Sequence, residues 1–496
     1  MNINFKKIYD QIMKFNNIRV GVIGDFFLDK YVYGYNRGMS SSSGISIFKE
    51  KEEMITLGGA GNVVNNLIKL GAKVTCFSAI GNDDNGRYII DYLSKNGVAP
   101  KSLVYSDNNT NVKTRFLIEE KEVFRIDKEH KKLNEQQLVQ SLEVWIEDEF
   151  KNLDIIIISD YSLGVCTNTI CKKVICEAEK FGIKVIVDSR CFELNKFKGV
   201  NYIVPNINEF NKIIEDNKLS SLDDEIKSIY NIIDKYDIKD GVILTKGNKG
   251  MIGVKSKENI KIPEYKVNVI DTVGAGDTVI SLLALGLNIN INFFELMYLL
   301  NLGGAISVTQ KGTYALSRER LYIELLEVIK KLDYKNKIVQ QDELENICKL
   351  YKNLNKRIVF TNGCFDLVHS GHTEYLYKSK KLGDVLVLAL NSDDSVRRLK
   401  GERRPINSQE ERSTLLASLE PLDFITIFEE DTPRNLLKRL RPNILVKGGD
   451  YKIEDLDGVE FVEDIILMDY IENKSTTEII QKIVNINNYE ENKDGK

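Results

Sequence analysis

The sequence predicts an α/β protein with two successive domains, each a layered parallel sheet covered by helices. Short β-branched runs alternate with amphipathic Lys/Glu-rich segments along most of the 496 residues. This alternation is typical of buried parallel strands joined by helices. It occurs in two series, which a polar stretch without strand signal separates. Apolar residues form 43% of the chain and charged residues 29%, as in ordinary globular domains.

The strand candidates define the domain organisation. In the first series they are residues 18–23, 154–159, 184–187, 202–204 and 241–245. In the second series they are residues 357–360, 385–390, 424–427 and 444–446. We therefore predict a first domain at residues 1–332, a linker at 333–338, a second domain at 339–487 and a disordered tail at 488–496.

Composition and charge exclude several classes of protein. The net charge of −4 offers no electrostatic attraction for nucleic acid or an anionic membrane. No apolar signal core opens the chain, and no run approaches the roughly 18 apolar residues that span a bilayer. We therefore expect a cytoplasmic protein. The seven cysteines are odd in number and lack Cys-x-x-Cys spacing, which favours neither a disulfide framework nor a zinc site.

The first candidate site is a glycine-rich turn before a long apolar helix pattern at residues 279–287. Its residues are Gly274, Ala275, Gly276 and Asp277. Backbone N–H groups of such a turn, together with the helix N-terminus, form an anion hole for a phosphate. Asp277 can accept a proton from a hydroxyl while the hole stabilises charge on a transferred phosphoryl group. A simple helix cap with turn glycines is the alternative interpretation.

Other segments, in the same order, resemble the ribokinase family of carbohydrate kinases from about residue 18 to residue 315. Residues 57–62 and 80–86 resemble its first signature, and residues 206–209 its Asn-x-x-Glu element. The resemblance implies a layered kinase domain with a small β lid, ATP as substrate and Mg²⁺. The implied sugar-binding residues are Asp25, Asp29, Gly59, Asn62 and Arg190. The implied nucleotide- or phosphate-binding residues are Gly274, Ala275, Gly276, Asn206, Glu209, Thr245, Gly247 and Asn301, of which Asn206 and Glu209 would hold Mg²⁺ indirectly.

The second candidate site contains two of the three histidines of the chain. His369 and His372 stand in a His-x-Gly-His sequence between a predicted strand and a predicted helix. In the first turn of that helix both imidazoles project to the same side, and Gly371 lets a nucleotide approach the backbone. Two donors aimed at one phosphate suit attack on an α-phosphate with departure of pyrophosphate. The third histidine, His130, is expected at the surface.

This segment resembles the His-x-Gly-His nucleotidyltransferases, whose domain is a Rossmann-like parallel sheet. The agreement continues through residues 380–384, 391–393, 400–401, 404–407, Arg412, 447–451 and 475–477. It implies nucleotide- or phosphate-binding roles for Phe365, Lys380, Lys400, Arg412, Lys447, Ser475, Thr476 and Thr477. Surface charge is the alternative for Arg412 and Lys447, and helix capping is an alternative or additional role for residues 475–477.

The combination resembles the family of bifunctional heptose 7-phosphate kinases and heptose 1-phosphate adenylyltransferases, most closely at residues 428–433 and 447–451. The resemblance implies phosphorylation of the anomeric hydroxyl of D-glycero-D-manno-heptose 7-phosphate. A separate phosphatase then removes the 7-phosphate, and adenylyl transfer from ATP yields pyrophosphate and ADP-heptose. Both steps use Mg²⁺, and a homodimer is expected. The alternatives are another phosphosugar or polyol phosphate, CTP as the nucleotide, and a kinase domain retained only as a ligand-sensing scaffold.

Three segments depart from the family pattern on the acceptor side of the kinase. Five serines, Gly44 and Ile45 occupy residues 40–46, where the family has a proline-rich lid. The family's Ser-Asp-Tyr-x-Lys-Gly has Leu163 in place of the lysine, and its Asp-Pro-Lys is Asp188-Ser189-Arg190. The phosphoryl-transfer residues are intact. We interpret the changes as drift within one function, with a changed sugar as the alternative.

Overall fold

This computed structural model describes residues 5–119, 121–191, 194–214, 221–256, 258–449 and 451–468. The chain divides into two compact units between Leu321 and Tyr322. Each unit has its own parallel or mostly parallel sheet. The predicted linker contains a short 3-10 turn at Tyr334–Lys337, and the predicted tail at residues 488–496 lies outside the described ranges.

The strands of the first unit form two sheets. They are β1 (Arg19–Gly24), β2 (Phe26–Met39), β3 (Ser46–Gly59), β4 (Lys73–Gly81), β5 (Leu103–Ser106), β6 (Val112–Ile118), β7 (Lys121–Lys128), β8 (Ile155–Asp160), β9 (Lys184–Ser189), β10 (Tyr202–Ile203), β11 (Gly241–Thr245), β12 (Met251–Lys255) and β13 (Glu258–Ile262). The central sheet has the order β13-β12-β11-β10-β9-β8-β1-β4-β5. The second sheet, β3-β2-β6-β7, is called the lid below.

Parallel pairing in the central sheet brings the ends of distant segments together. Strand β1 pairs in parallel with β4 and β8, and β8 pairs in parallel with β9. All six residues of β8 are buried, as expected for a strand covered on both faces. Because the carboxyl ends of parallel strands meet at one edge, Gly24, Asp160, Ser189 and Thr245 end their strands on the same side, where α/β folds bind ligands.

Helices cover the central sheet. They are α1 (Phe5–Ile12), α2 (Ala60–Leu70), α3 (Asp84–Lys95), α4 (Glu135–Glu149), α5 (Asn168–Lys180), α6 (Ile207–Ile213), α7 (Leu222–Tyr236), α8 (Ala275–Gly286), α9 (Phe293–Ser307) and α10 (Arg318–Leu332), the last containing the division between units. Helix α8 is buried from Asp277 onward and packs on α2 and α9. It begins four residues before the predicted apolar run, so the motif carboxylate lies in its first turn.

The second unit has one parallel five-stranded sheet. Its strands are β14 (Ile358–Gly363), β15 (Val385–Asn391), β16 (Phe424–Phe428), β17 (Ile444–Gly448) and β18 (Asp464–Met468), in the order β16-β15-β14-β17-β18. Its helices are α11 (Gln341–Asn353), α12 (Ser370–Lys380), α13 (Asp393–Lys400), α14 (Gln409–Ala417) and α15 (Arg434–Leu440). The sheet extends to β18, one strand beyond the predicted series. No helix in the described ranges is long and apolar enough to cross a membrane.

Candidate active sites

The carboxylate of Asp277 is held at the N-terminus of α8 by two donors. Asn62 Nδ2 on α2 donates to its Oδ2 at 2.7 Å, and the Tyr161 hydroxyl donates to its Oδ1 at 3.0 Å. Gly274, the N-cap of α8, has φ +82°, and a Cβ there would lie 2.9 Å from Asn62 Nδ2. Glycine is therefore required both by the left-handed backbone and by the close approach of α2.

Burial tunes Asp277 for proton transfer near neutral pH. The side chain is only 3% exposed, and burial raises its pKa to about 6, against the opposing hydrogen bonds from Asn62 and Tyr161 and the charge of Arg190. A carboxylate with this pKa is mostly ionised at pH 7 yet binds a proton more readily than an exposed aspartate. That combination suits a general base.

Asp277 lies in a cleft of about 330 Å³ between the central sheet and the lid. The cleft gathers predicted sugar, phosphate and catalytic residues from segments far apart in the chain. Those that line it are Asp29, Gly59, Arg190, Asn206, Glu209, Thr245, Gly274, Gly276 and Asp277. Ala275 is the first residue of α8 beside them.

The lid contributes cations that the sequence analysis did not single out. Lys113 and Arg115 on β6 and Arg125 on β7 line the cleft. Arg115 NH2 contacts Asp29 Oδ1 at 3.0 Å; burial raises the pKa of Asp29, and Arg115 opposes this. Alternate residues of a strand share a face, so the Lys-x-Arg spacing on β6 was a usable signal. These cations place positive charge in the cleft, whereas Leu163, at the position of the family's lysine, does not line it.

Glu209 is the cleft carboxylate that the sequence analysis predicted to help hold Mg²⁺. The Asn206 N–H donates to Glu209 Oε2 at 2.9 Å, while Asn206 Oδ1 accepts N–H groups of Asn208 and Glu209. Burial raises the pKa of Glu209, so a cation would stabilise its ionised form. Since Asn206 Oδ1 already accepts two bonds, its clearest role is to orient Glu209. Within the described ranges no cluster of three metal-ligating side chains occurs.

Three residues predicted at the kinase site, Asp25, Asn301 and Gly247, lie outside the cleft lining. Asp25 accepts backbone N–H groups of Tyr161, Leu163 and Val165 at 2.9 to 3.0 Å. It is buried and lies outside the cleft lining, so its role is to hold the loop after β8 and not to contact sugar. Asn301 likewise donates to the Pro263 carbonyl at 2.9 Å and anchors that segment. Gly247, with φ +56°, forms a turn after β11 and does not line the cleft.

The second site is built on the N-terminus of α12. His369 precedes the helix, and its ring stacks on that of His372 with centroids 3.9 Å apart and an interplanar angle of 27°. Phe365 packs on His372 with centroids 4.9 Å apart. Burial and then the charge of His369 lower the pKa of His372 to about 4. His372 is therefore neutral at pH 7 and presents an N–H donor beside the positive end of the helix.

Charged and polar groups from neighbouring loops approach the histidine segment. Lys447, at the end of β17, donates to the Asn362 carbonyl at 3.4 Å. Lys447 and the exposed Lys400 both lower the pKa of Cys364, against the larger effect of burial. Asn362 Oδ1 is buried and has no hydrogen-bond partner among the described residues. A ligand N–H can satisfy this oxygen, and the sequence analysis had not assigned Asn362 a role.

Two basic side chains that were predicted to bind phosphate instead contact groups within the second unit. Arg412 has no exposed side-chain surface; its guanidinium donates to Asp393 Oδ1 at 2.7 Å and to the carbonyls of Asn407 and Cys364. Lys380, at the far end of α12 from the histidines, pairs with Asp423. Both predictions are corrected, because these long side chains reach partners inside the unit. Ser475, Thr476 and Thr477 lie outside the described residues.

We expect Arg412→Ala and Lys400→Ala to separate stability from binding. Arg412→Ala leaves Asp393 without its buried cation and should lower the free energy of unfolding of the second unit by about 3 kcal/mol. Lys400→Ala, at an exposed position, should change stability by less than about 0.5 kcal/mol and raise the ATP KM of pyrophosphate release about tenfold. Circular dichroism follows unfolding, and Trp145, the single tryptophan, reports the first unit separately. An unchanged transition in Arg412→Ala would contradict the structural role.

Comparison with known proteins identifies both units. Residues 21–320 match the family described as pfkB family carbohydrate kinase, and residues 360–482 match a cytidylyltransferase-like family. In solved structures, phosphofructokinase-2 from Escherichia coli has a TM-score of 0.53 at 23% identity, covering 62% of this chain and 99% of that one. Ribokinase from Thermotoga maritima has a TM-score of 0.50 at 20% identity, with coverages of 62% and 99%. The predicted ribokinase-like fold with its lid is thereby confirmed.

Relatives extend over both units. The bifunctional protein HldE of Pelobacter propionicus is 36% identical over 95% of this chain and 97% of its own length. That of Sulfurimonas denitrificans is 36% identical over 95% and 98%, respectively. These matches to proteins named as bifunctional span both units, which confirms the resemblance and the enzyme class. The chain belongs to the HldE family of bifunctional enzymes, combining a carbohydrate kinase with a nucleotidyltransferase.

Proposed function

We propose that the first unit transfers the γ-phosphoryl group of ATP to the anomeric hydroxyl of heptose 7-phosphate. The second unit then joins heptose 1-phosphate to the AMP moiety of ATP, which yields ADP-heptose and pyrophosphate. The observation that carries the proposal is that each unit places its candidate reacting groups at a helix N-terminus: Asp277 on α8, and His369 and His372 on α12. Both arrangements suit phosphate chemistry.

In the kinase, Asp277 receives the proton of the acceptor hydroxyl as the oxygen attacks the γ-phosphorus. Its carboxylate is already oriented by Asn62 and Tyr161, so little reorganisation precedes the transfer. The N–H groups at Gly274, Ala275 and Gly276 stabilise charge on the moving phosphoryl group. Glu209 would help to hold Mg²⁺, which would neutralise charge on the ATP phosphates.

In the transferase, the phosphate of heptose 1-phosphate attacks the α-phosphorus of ATP and pyrophosphate leaves. His369 and His372 donate hydrogen bonds to phosphate oxygens on which charge grows. Lys447 and Lys400 balance the charge of the triphosphate. The order of the two reactions is chemically coherent, since the anomeric phosphate made by the kinase supplies the nucleophile of the transferase.

The proposal includes partners that act outside these two sites. A separate phosphatase is proposed to remove the 7-phosphate between the steps, because the kinase product would carry phosphates at positions 1 and 7, whereas the transferase is proposed to use heptose 1-phosphate. We further propose a cytoplasmic homodimer that binds neither nucleic acid nor membrane. The net charge of −4 supports the absence of polyanionic partners.

The test is to offer the purified protein a panel of sugar 7-, 6- and 1-phosphates with ATP or CTP. ADP and pyrophosphate are measured separately, so each reaction has its own signal. We expect ADP with heptose 7-phosphate and ATP, and pyrophosphate with heptose 1-phosphate and ATP. ADP formed only with another phosphosugar would overturn the proposed acceptor, and pyrophosphate formed only with CTP would overturn the adenylyl step. Absence of ADP throughout would favour a ligand-sensing scaffold.

A further inference from the structure

We infer that Tyr161 is a positioning residue for the kinase base: its hydroxyl orients the Asp277 carboxylate and sets the pH below which kinase activity is lost. This inference rests on the proposed function, in which Asp277 accepts the proton. The sequence analysis noted Tyr161 only as part of a motif that lacks the family's lysine. No sugar- or phosphate-binding role was assigned to it there.

The Tyr161 ring contacts two neighbouring side chains, Arg190 and Phe27. The guanidinium of Arg190 lies 4.2 Å from the ring centroid, and the Phe27 ring contacts it edge-on with centroids 5.3 Å apart. The backbone N–H of Tyr161 donates to Asp25 Oδ2 at 2.9 Å. A ring held in this way has little rotamer freedom, so its hydroxyl reaches Asp277 Oδ1 without further ordering.

A network around Asp160 joins the Tyr161 loop to the Arg190 loop. The Asp160 carboxylate accepts from Ser189 Oγ at 2.8 Å and contacts Lys196 Nζ at 2.7 Å. Its carbonyl accepts the Arg190 N–H at 2.9 Å. The stacked pair of Tyr161 and Arg190 is therefore carried by two loops that are tied to each other, and the donor to Asp277 keeps a fixed position.

The hydroxyl of Tyr161 remains a donor throughout the working pH range. Burial, and next the charge of Asp277, raise the pKa of Tyr161 well above its usual value. Each carboxylate oxygen of Asp277 can accept more than one hydrogen bond. The acceptor sugar hydroxyl can therefore donate to Asp277 while Tyr161 and Asn62 keep their bonds. The tyrosine orients the base without competing with the substrate.

Loss of the Tyr161 hydroxyl should shift the pKa of Asp277 in a predictable direction. A hydrogen bond to the ionised carboxylate favours that form, so its removal raises the pKa of Asp277 above its present value of about 6. Since the base must be ionised, the acid limb of kinase activity then moves to higher pH. The other charged groups facing Asp277 are Asp29, Asp188 and Arg190. These three groups and the substrate phosphate are present with both the wild type and the variant. Their effects on the pKa of Asp277 therefore cancel when the two pH profiles are compared.

The experiment compares pH profiles of ADP formation, from pH 5 to about pH 9, for the full-length wild type and Tyr161→Phe. The phenylalanine keeps the contacts with Arg190 and Phe27 and removes only the hydroxyl. We expect the acid limb of kcat to shift upward by about one pH unit. At pH values above the acid limbs of both proteins, we expect kcat of the variant to be lower by up to about tenfold, because orientation of the base is impaired. KM for ATP should be unchanged.

Tyr92→Phe is the matched control, since its hydroxyl donates to Asn65 at 2.6 Å within the same unit and the residue does not line the cleft. Its acid limb should coincide with that of the wild type. The fluorescence of Trp145, the single tryptophan, confirms that the first unit of each preparation is folded. If the acid limb of Tyr161→Phe lay at the same pH as that of the wild type, the inference would be overturned, but Asp277 would remain the proposed base. Retained kinase activity in Asp277→Asn would instead overturn the base assignment itself.

Discussion

Asp277→Asn is expected to lower ADP formation by on the order of 10³-fold or more, because it removes the proton acceptor. The variant should fold, since the amide has nearly the same shape as the carboxylate. The Tyr161 hydroxyl can turn to accept from the new amide. Asn62 Oδ1, which has no partner among the described residues, offers a second acceptor if its amide rotates. The packing around α8 therefore has a way to accommodate asparagine.

Separate assays make this prediction specific. ADP formation with the acceptor sugar measures the kinase, and pyrophosphate release with heptose 1-phosphate measures the transferase. In Asp277→Asn the second signal should equal that of the wild type. Loss of both signals would contradict the assignment of two independent sites. Wild-type ADP formation in this variant would contradict Asp277 as the base.

His369→Ala and His372→Ala are each expected to lower pyrophosphate release by about 10²- to 10³-fold, because each removes a donor to the reacting phosphates. The rings stack at 3.9 Å, so either change also removes the packing partner of the other imidazole. The two losses should therefore be far from additive in a double variant. ADP formation should be unchanged in both proteins.

The third histidine supplies the control for this experiment. His130 lies in the first unit, where its backbone N–H donates to Asn111 Oδ1 at 2.6 Å, and it is not part of the kinase cleft lining. His130→Ala should retain both signals. Pyrophosphate release that survives in His369→Ala or His372→Ala would contradict the role of the pair. The neutral state of His372, whose pKa is about 4, further predicts that its protonation does not limit release between about pH 6 and pH 8.

The sequence predicted the fold because local patterns encode it, and the same patterns located a candidate site in each unit. Strand runs such as residues 241–245 coincide with β11 (Gly241–Thr245), since continuous burial of a parallel strand leaves an apolar run. His369 stands at a strand-to-helix turn that flanking periodicity reveals. Gly274 directly precedes α8, but residues 263–274 before that helix contain no strand. Strands at the edges of the sheets were harder to predict from the sequence. The edge strand β18 (Asp464–Met468), for example, was not among the predicted strands.

The roles of individual charged side chains could not be predicted from local patterns in the same way. Asp25 and Asp29 are four residues apart, yet one holds a loop through three N–H groups and the other lines the cleft beside Arg115. Arg412 and Lys447 are both cations of the second unit, but only Arg412 has all its side-chain surface buried among its own carbonyl and carboxylate partners. Sequence spacing does not encode which of these partners lies within reach.

By itself, the sequence determined two α/β domains, two phosphate-handling turns and a family of bifunctional enzymes. Tertiary structure alone decided how the base is held. Asn62 and Tyr161 reach Asp277 across separations of 215 and 116 residues. Helical and strand periodicity act over a few residues, whereas these contacts depend on the order of strands in the sheet and on the packing of α2 against α8.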